Sequence, residues 1–120
     1  MAKFDAKSLA RLRDQEEVAI RTQKHPSLGV TIWVVVEGDE VFVRSVKGAR
    51  GRWWKDLAAG GPATLEFAGS RRPVEAIPAA DATSVARASR EYLRKYRTSA
   101  YAQSMVREEV LPTTLRLEPR

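Results

Sequence analysis

Apolar and polar positions alternate with period two through most of the first two-thirds of the chain and shift to helical spacing toward its end. Val18 and Ile20 alternate with Glu17, Ala19 and Arg21, which predicts a half-buried strand. The run Val30 to Val36 is apolar on both parities, so its strand is expected to be covered on both faces, as in a barrel or a parallel sheet. Residues 24–29, with His25-Pro26, are expected to form the loop before it. Gly38-Asp39 predicts a tight hairpin into a strand over residues 40–46, with Val41, Val43 and Ser45 on one face and Phe42, Arg44 and Val46 on the other. Residues 63–67 and 73–77 form a second alternating pair around Gly69, and Leu115 and Leu117 mark a last strand beyond Pro112.

Three stretches carry the helical period. Asp5 is placed to cap a short helix over residues 6–14, with Leu9 and Leu12 on one face. Trp53, Trp54, Leu57 and Ala58 predict about two turns that stop at Gly60-Gly61. After Asp81, the residues Val85, Ala88, Tyr92, Leu93 and Tyr96 predict an amphipathic helix, with a further helical stretch near residues 101–109. Six short strands joined mostly by hairpins favour a small closed or split barrel, mainly β with flanking helices, over a βαβ sheet. Residues 1–120 are read as one domain.

Composition narrows the chemistry. The chain has no cysteine, which excludes a disulfide framework, thiol catalysis and a zinc–cysteine site, and its lone histidine excludes a His-pair metal centre, so no metal is expected. Its longest purely apolar run, Ile32 to Val36, is far short of the roughly 20 residues that span a bilayer. The charged, periodic N-terminus shows no secretory signal, so a cytoplasmic protein is expected. Lys and Arg number 21 against 15 acids, for a net charge of +6, and 15 of the 21 are Arg, the residue suited to phosphate and carboxylate.

The densest feature is residues 44–57, where Arg44, Lys47, Arg50, Arg52 and Lys55 precede the first acid, Asp56. A strand end, a loop with Gly48 and Gly51, and a helix start make a composition suited to an anion, because glycine admits close approach and the first helical N–H groups are unpaired. The phosphate-binding patterns of nucleoside triphosphatases and dinucleotide folds are absent. Trp53 and Trp54 point about 100° apart on a helix, so one is assigned to the core and the other to an interface. His25 reads as an exposed loop residue, and no Ser-His-Asp set or sheltered pair of carboxylates is evident, leaving the catalytic residue unassigned.

The stretch from Val30 to Phe67 resembles the flavin-type split barrels, that is, pyridoxamine phosphate oxidase-like proteins and deazaflavin-dependent nitroreductases. Ser45, Lys47 and Gly48 look like that group's Ser-Lys-Gly loop with Val46 inserted, Trp54-Lys55-Asp56-Leu57 like its Trp-x-x-Asn-Leu helix, and Pro62 follows as in the pattern. The whole chain also resembles a small bacterial family of split-barrel proteins of unknown function. The resemblance implies a six-stranded split β-barrel of the FMN-binding type, a homodimer, and FMN or a deazaflavin coenzyme at the subunit interface. Arg44, Ser45, Lys47 and Gly48 would hold its phosphate, Arg50 and Arg52 would assist, and Trp54 would pack near the ring or interface. The expected activity is hydride transfer to a small acceptor. A non-catalytic binding module for a phosphorylated ligand is the alternative, and nucleic-acid binding through Arg87, Arg90, Arg94, Lys95 and Arg97 ranks third.

Overall fold

The computed structural model describes residues 2–120. Six strands form a closed barrel in the order β1-β2-β3-β6-β5-β4, every neighbouring pair antiparallel. They are β1 Glu17–Thr22, β2 His25–Glu37, β3 Glu40–Val43, β4 Gly61–Phe67, β5 Ser70–Pro78 and β6 Leu115–Pro119. Three α-helices accompany them, α1 Ala6–Asp14, α2 Arg52–Leu57 and α3 Ala82–Lys95. No helix among the described residues is long and apolar enough to cross a membrane.

Alternation puts one parity of each strand inside the barrel. Ile20, Val34, Val41, Leu65, Val74 and Leu117 form its interior. The other parity of β2 and β3, with Val35 and Phe42, lies under α3 and packs on Ala88, Tyr92 and Tyr96. The apolar run of β2 is thus covered on both faces, as its pattern predicts. Each end of the barrel receives a helix. Near the β2–β3 turn, α1 inserts Leu9 and Leu12, and Arg13 donates to the Gly38 carbonyl at 2.5 Å. At the other end of β2, α2 contributes Trp53 and Leu57 to the same core. Asp5 caps α1 and Asp81 caps α3, each accepting from a serine N–H three residues on.

Four local expectations are corrected. The strand β2 begins at His25 rather than after a loop, because Thr22 and His25 already pair across the β1–β2 turn. The pairing then slips between Ile20 and Thr22, so Pro26 to Gly29 bulge outward. The strand β3 stops at Val43 instead of Val46, since the Ser45 N–H donates to Thr113 Oγ1 and not to a ladder partner. The stretch near 101–109 forms only a 3₁₀ segment, Ala102–Val106, whose three-residue period buries Ala102 and Met105 together. Leu93 points outward, on the exposed side of α3.

Candidate functional site

The segment after β3 divides into a buried anchor and an exposed rim. Arg44 is only 1% exposed, and its guanidinium donates to Thr114 Oγ1 at 2.8 Å, Ser89 Oγ and the Val85 carbonyl at 2.9 Å and the Met105 carbonyl at 3.0 Å. It also lies 5.4 Å from the centroid of the Tyr92 ring. Four separate pieces of chain, β3, α3, the 3₁₀ segment and the approach to β6, therefore meet on one side chain. No carboxylate among the described residues pairs with it, so burial lowers its pKa, although a guanidinium stays charged throughout the range of protein stability.

The loop that follows folds on itself. The Ser45 hydroxyl donates to the Gly48 carbonyl at 2.8 Å, Gly48 N–H to the Ser45 carbonyl, and Gly51 N–H to the Gly48 carbonyl. Gly48 has φ of +64°, and a Cβ there would stand 3.1 Å from the Glu109 carbonyl oxygen. A Cβ on Gly51 would overlap the Ser45 hydroxyl. With Ser45 and Gly51 fixed, Lys47 and Arg52 project from the two limbs of the loop as exposed cations. At six residues and with no side-chain cap, α2 adds little field of its own.

This loop, the outer face of β2 and the 3₁₀ segment enclose a cavity of about 420 Å³. Trp33, Trp53, Tyr101 and Met105 supply its aromatic and apolar walls, and Arg44, Lys47 and Arg52 supply cations against one acid, Glu17. Trp33 is held flat by stacking on Tyr96, with centroids 3.9 Å apart and planes 3° from parallel. Tyr101 is 72% exposed and Val46 48%, so the mouth of the cavity is apolar and open. A shallower hollow of about 470 Å³ by the β4–β5 turn shares Glu17 and Thr31 with it but offers no exposed aromatic wall.

Beside the cavity, His25 Nδ1 lies 2.6 Å from Asp56 Oδ2, and Thr22 Oγ1 donates to the same oxygen at 2.6 Å. The Asp56 side chain is 8% exposed and that of His25 39%. Burial raises the Asp56 pKa, but the hydrogen bonds from Thr22 and His25 outweigh it and hold the carboxyl below its ordinary 3.8. Asp56 thus ties α2 to the β1–β2 turn.

Of the seven residues expected from the sequence, the structure brings Arg44, Ser45, Lys47 and Arg52 to the cavity. Gly48, Arg50 and Trp54 do not line it. Trp53, not Trp54, forms the wall, while Trp54 packs against the barrel core with its indole Nε1 buried and unpartnered. Arg44 and Ser45 reach the site as braces, since their polar groups bond to the protein. Sequence reasoning missed Trp33 and Met105, and weighed the Tyr101 hydroxyl for a substrate without joining it to this segment; all three lie outside the glycine-containing stretch and meet it only through the fold. On α3, Arg87 pairs with Glu37 and Glu40, Arg94 with Glu91, and Lys95 donates to the Leu12 and Val34 carbonyls. The helix therefore presents fewer uncommitted cations than its sequence implies.

Residues 8–117 match the family described as uncharacterized protein conserved in bacteria (DUF2255), and the chain belongs to that family. No curated protein matches it.

Proposed function

We propose that the cavity binds FMN or a deazaflavin coenzyme and that the protein is an oxidoreductase of the FMN-binding split-barrel type, acting on a small acceptor. The carrying observation is the wall itself: planar aromatic side chains around about 420 Å³, with three cations to one acid. That volume falls in the range of roughly 300–1,000 Å³ common to cofactor sites, and aromatic walls with a few convergent charges suit a ring that bears a phosphate. Lys47 and Arg52 would hold the phosphate, Trp33 and Trp53 would flank the ring, and Arg44 would act from beneath through its buried charge. A bound flavin supplies the hydride chemistry, and this chain supplies orientation and exclusion of water. A second copy covering Val46 and Tyr101 would close the mouth, in keeping with the homodimer implied by the resemblance.

Titration of the purified protein with FMN and with a deazaflavin, followed by absorbance and flavin fluorescence, tests this. Saturable uptake of one of them is expected, weakened about tenfold or more when Lys47 and Arg52 are both changed to Ala, since a charge-assisted bond contributes about 1.5–3 kcal/mol. Absence of uptake of either coenzyme ends the reading. The same cations also favour non-catalytic binding of a phosphorylated ligand, which predicts competition by inorganic pyrophosphate and no acceptor reduction by a supplied hydride donor.

A further inference from the structure

We infer that Tyr101 is the residue that selects a planar ring at the mouth of the cavity, its side chain covering the bound ring while Lys47 and Arg52 take the anionic group. The inference rests on the cavity being a ligand site and not on the ligand being a flavin. Three observations carry it. Tyr101 lines the cavity itself, together with Trp33, Trp53 and Met105. Its side chain does nothing for the fold, for the residue is 72% exposed, its hydroxyl makes no hydrogen bond and its ring stacks on no other among the described residues. Its backbone is nevertheless fixed. Tyr101 N–H donates to Ser99 Oγ at 3.1 Å, its carbonyl accepts from Ser104 N–H at 3.0 Å, and Ala102 beside it is buried. Arg107 Nη2 donates to the Val46 carbonyl at 2.8 Å and so joins this segment to the Val46 limb of the mouth.

The chain's other two tyrosines show what a structural role requires. Tyr92 and Tyr96 are buried, stack on one another, and donate to the Trp33 and Glu16 carbonyls. A large aromatic held in water at the mouth of an aromatic cavity is stabilised when a ligand ring covers it, in proportion to the apolar area removed from water. The phenol has only two side-chain torsions to fix, so closing on a ring demands little ordering. A phosphate without a ring meets the cations and gains nothing from Tyr101. The residue therefore discriminates between ring-bearing and ring-free anions, a distinction that Lys47 and Arg52 cannot make.

Nitration by tetranitromethane reads Tyr101 directly, because the chain has no cysteine and its other tyrosines are buried. The free protein is expected to be nitrated at Tyr101 alone, and FMN at about ten times its Kd to slow that reaction about tenfold. Tyr101→Ala is expected to weaken FMN binding about tenfold, within the range for loss of an aromatic stack, with Tyr101→Phe close to the wild type and affinity for inorganic pyrophosphate unchanged. Both variants should keep the wild-type urea midpoint, which a structural role would move. Unchanged FMN affinity in Tyr101→Ala, equal losses for FMN and pyrophosphate, bound FMN that leaves nitration as fast as before, or a Tyr101 unreactive in the free protein overturns the inference. Should FMN not bind by its own spectrum, the flavin reading falls alone. The aromatic anion anilinonaphthalene sulfonate, read by its fluorescence, then takes its place. Protection of Tyr101 from nitration together with weaker binding by Tyr101→Ala supports the inference, and failure of either, or no uptake of this probe, overturns it.

Discussion

Replacing Arg44 by Met separates the buried anchor from the exposed rim. The guanidinium donates to four neutral acceptors at 2.8–3.0 Å and lies against the Tyr92 ring. Bonds from a charged donor contribute about 1.5–3 kcal/mol each, but burying a cation costs several kcal/mol, and a methionine that fills the space removes both effects. The acceptors then fare unequally. Val85 O keeps its place in the α3 ladder, and the Thr114 hydroxyl still donates to the Leu111 carbonyl at 2.7 Å. Met105 O loses a partner in a buried setting and the Ser89 hydroxyl in a half-buried one, at about 1–3 kcal/mol for a buried group left unsatisfied and less for the half-buried one. A net loss of about 2–4 kcal/mol is expected, read as a lower urea midpoint at unchanged slope and a Tm lower by on the order of 10 °C. Arg44→Lys is expected to cost at least as much, since one ammonium keeps the charge buried and cannot reach acceptors on separate elements. Lys47→Ala and Arg52→Ala, on exposed side chains, should stay within about 0.5 kcal/mol of the wild type while weakening FMN binding. An Arg44→Met variant as stable as the wild type that no longer binds FMN would refute the division, because Arg44 would then be a ligand contact and not a brace.

The remaining predictions concern the loop, the helix and pH. Gly51→Ala is expected to cost about 1–3 kcal/mol through overlap with the Ser45 hydroxyl, and adding Ser45→Ala should recover part of it in the same urea titration. No recovery would place the strain elsewhere. Tyr96→Phe removes a hydroxyl that donates to the Glu16 carbonyl at 2.6 Å and accepts from Val34 N–H at 3.2 Å. A loss of about 1–3 kcal/mol is expected, and a neutral result would contradict the buried geometry. Burial pushes the Lys95 ammonium down to about 8 from 10.5, with repulsion from Arg94 in the same direction. The unfolded chain then binds more protons than the native one between those two values, so stability should rise with pH across that window. Lys95→Arg, which does not titrate there, should lack this component, and parallel pH profiles of the two proteins would refute the shift.

Much of the fold can be read from local pattern, because hairpins and caps are short-range events. Asp5 before Leu9 and Leu12 marks α1, Gly38 places the β2–β3 turn, and the double-parity run of β2 announces both the barrel interior and the layer under α3. Closure of the barrel through β1 and β4 is not local, since Ile20 meets Leu65 only after two strands and a helix have intervened. The His25–Asp56 pair was hidden for the same reason, as its members are 31 residues apart, His25 reads alone as an exposed loop residue and Asp56 as part of a helix motif. The choice between Trp53 and Trp54 turned on the rotation of a six-residue helix, which spacing leaves open.

Arg44 marks a deeper limit of sequence reading. A cluster of basic residues predicts an anion only if the side chains reach solvent, and formal charge says nothing about which of them do. Here the member nearest the strand turns inward and becomes the joint of α3, the 3₁₀ segment and β6, while its neighbours three and eight positions on remain outside. The buried charge is nevertheless not lost to the site. A guanidinium without a carboxylate partner, screened from bulk water by protein, projects its field farther than an exposed lysine does. Because Arg44 is among the residues that line the cavity, the residue that joins the elements would, on the proposed reading, also favour an anion there. On the same reading, an anion bound there would relieve part of the cost of burying the cation, which would couple ligand binding to the docking of α3. A ligand present at a hundred times its Kd would add about 2.7 kcal/mol to stability, and that gain should be smaller in Arg44→Met than in the wild type at the same free ligand concentration.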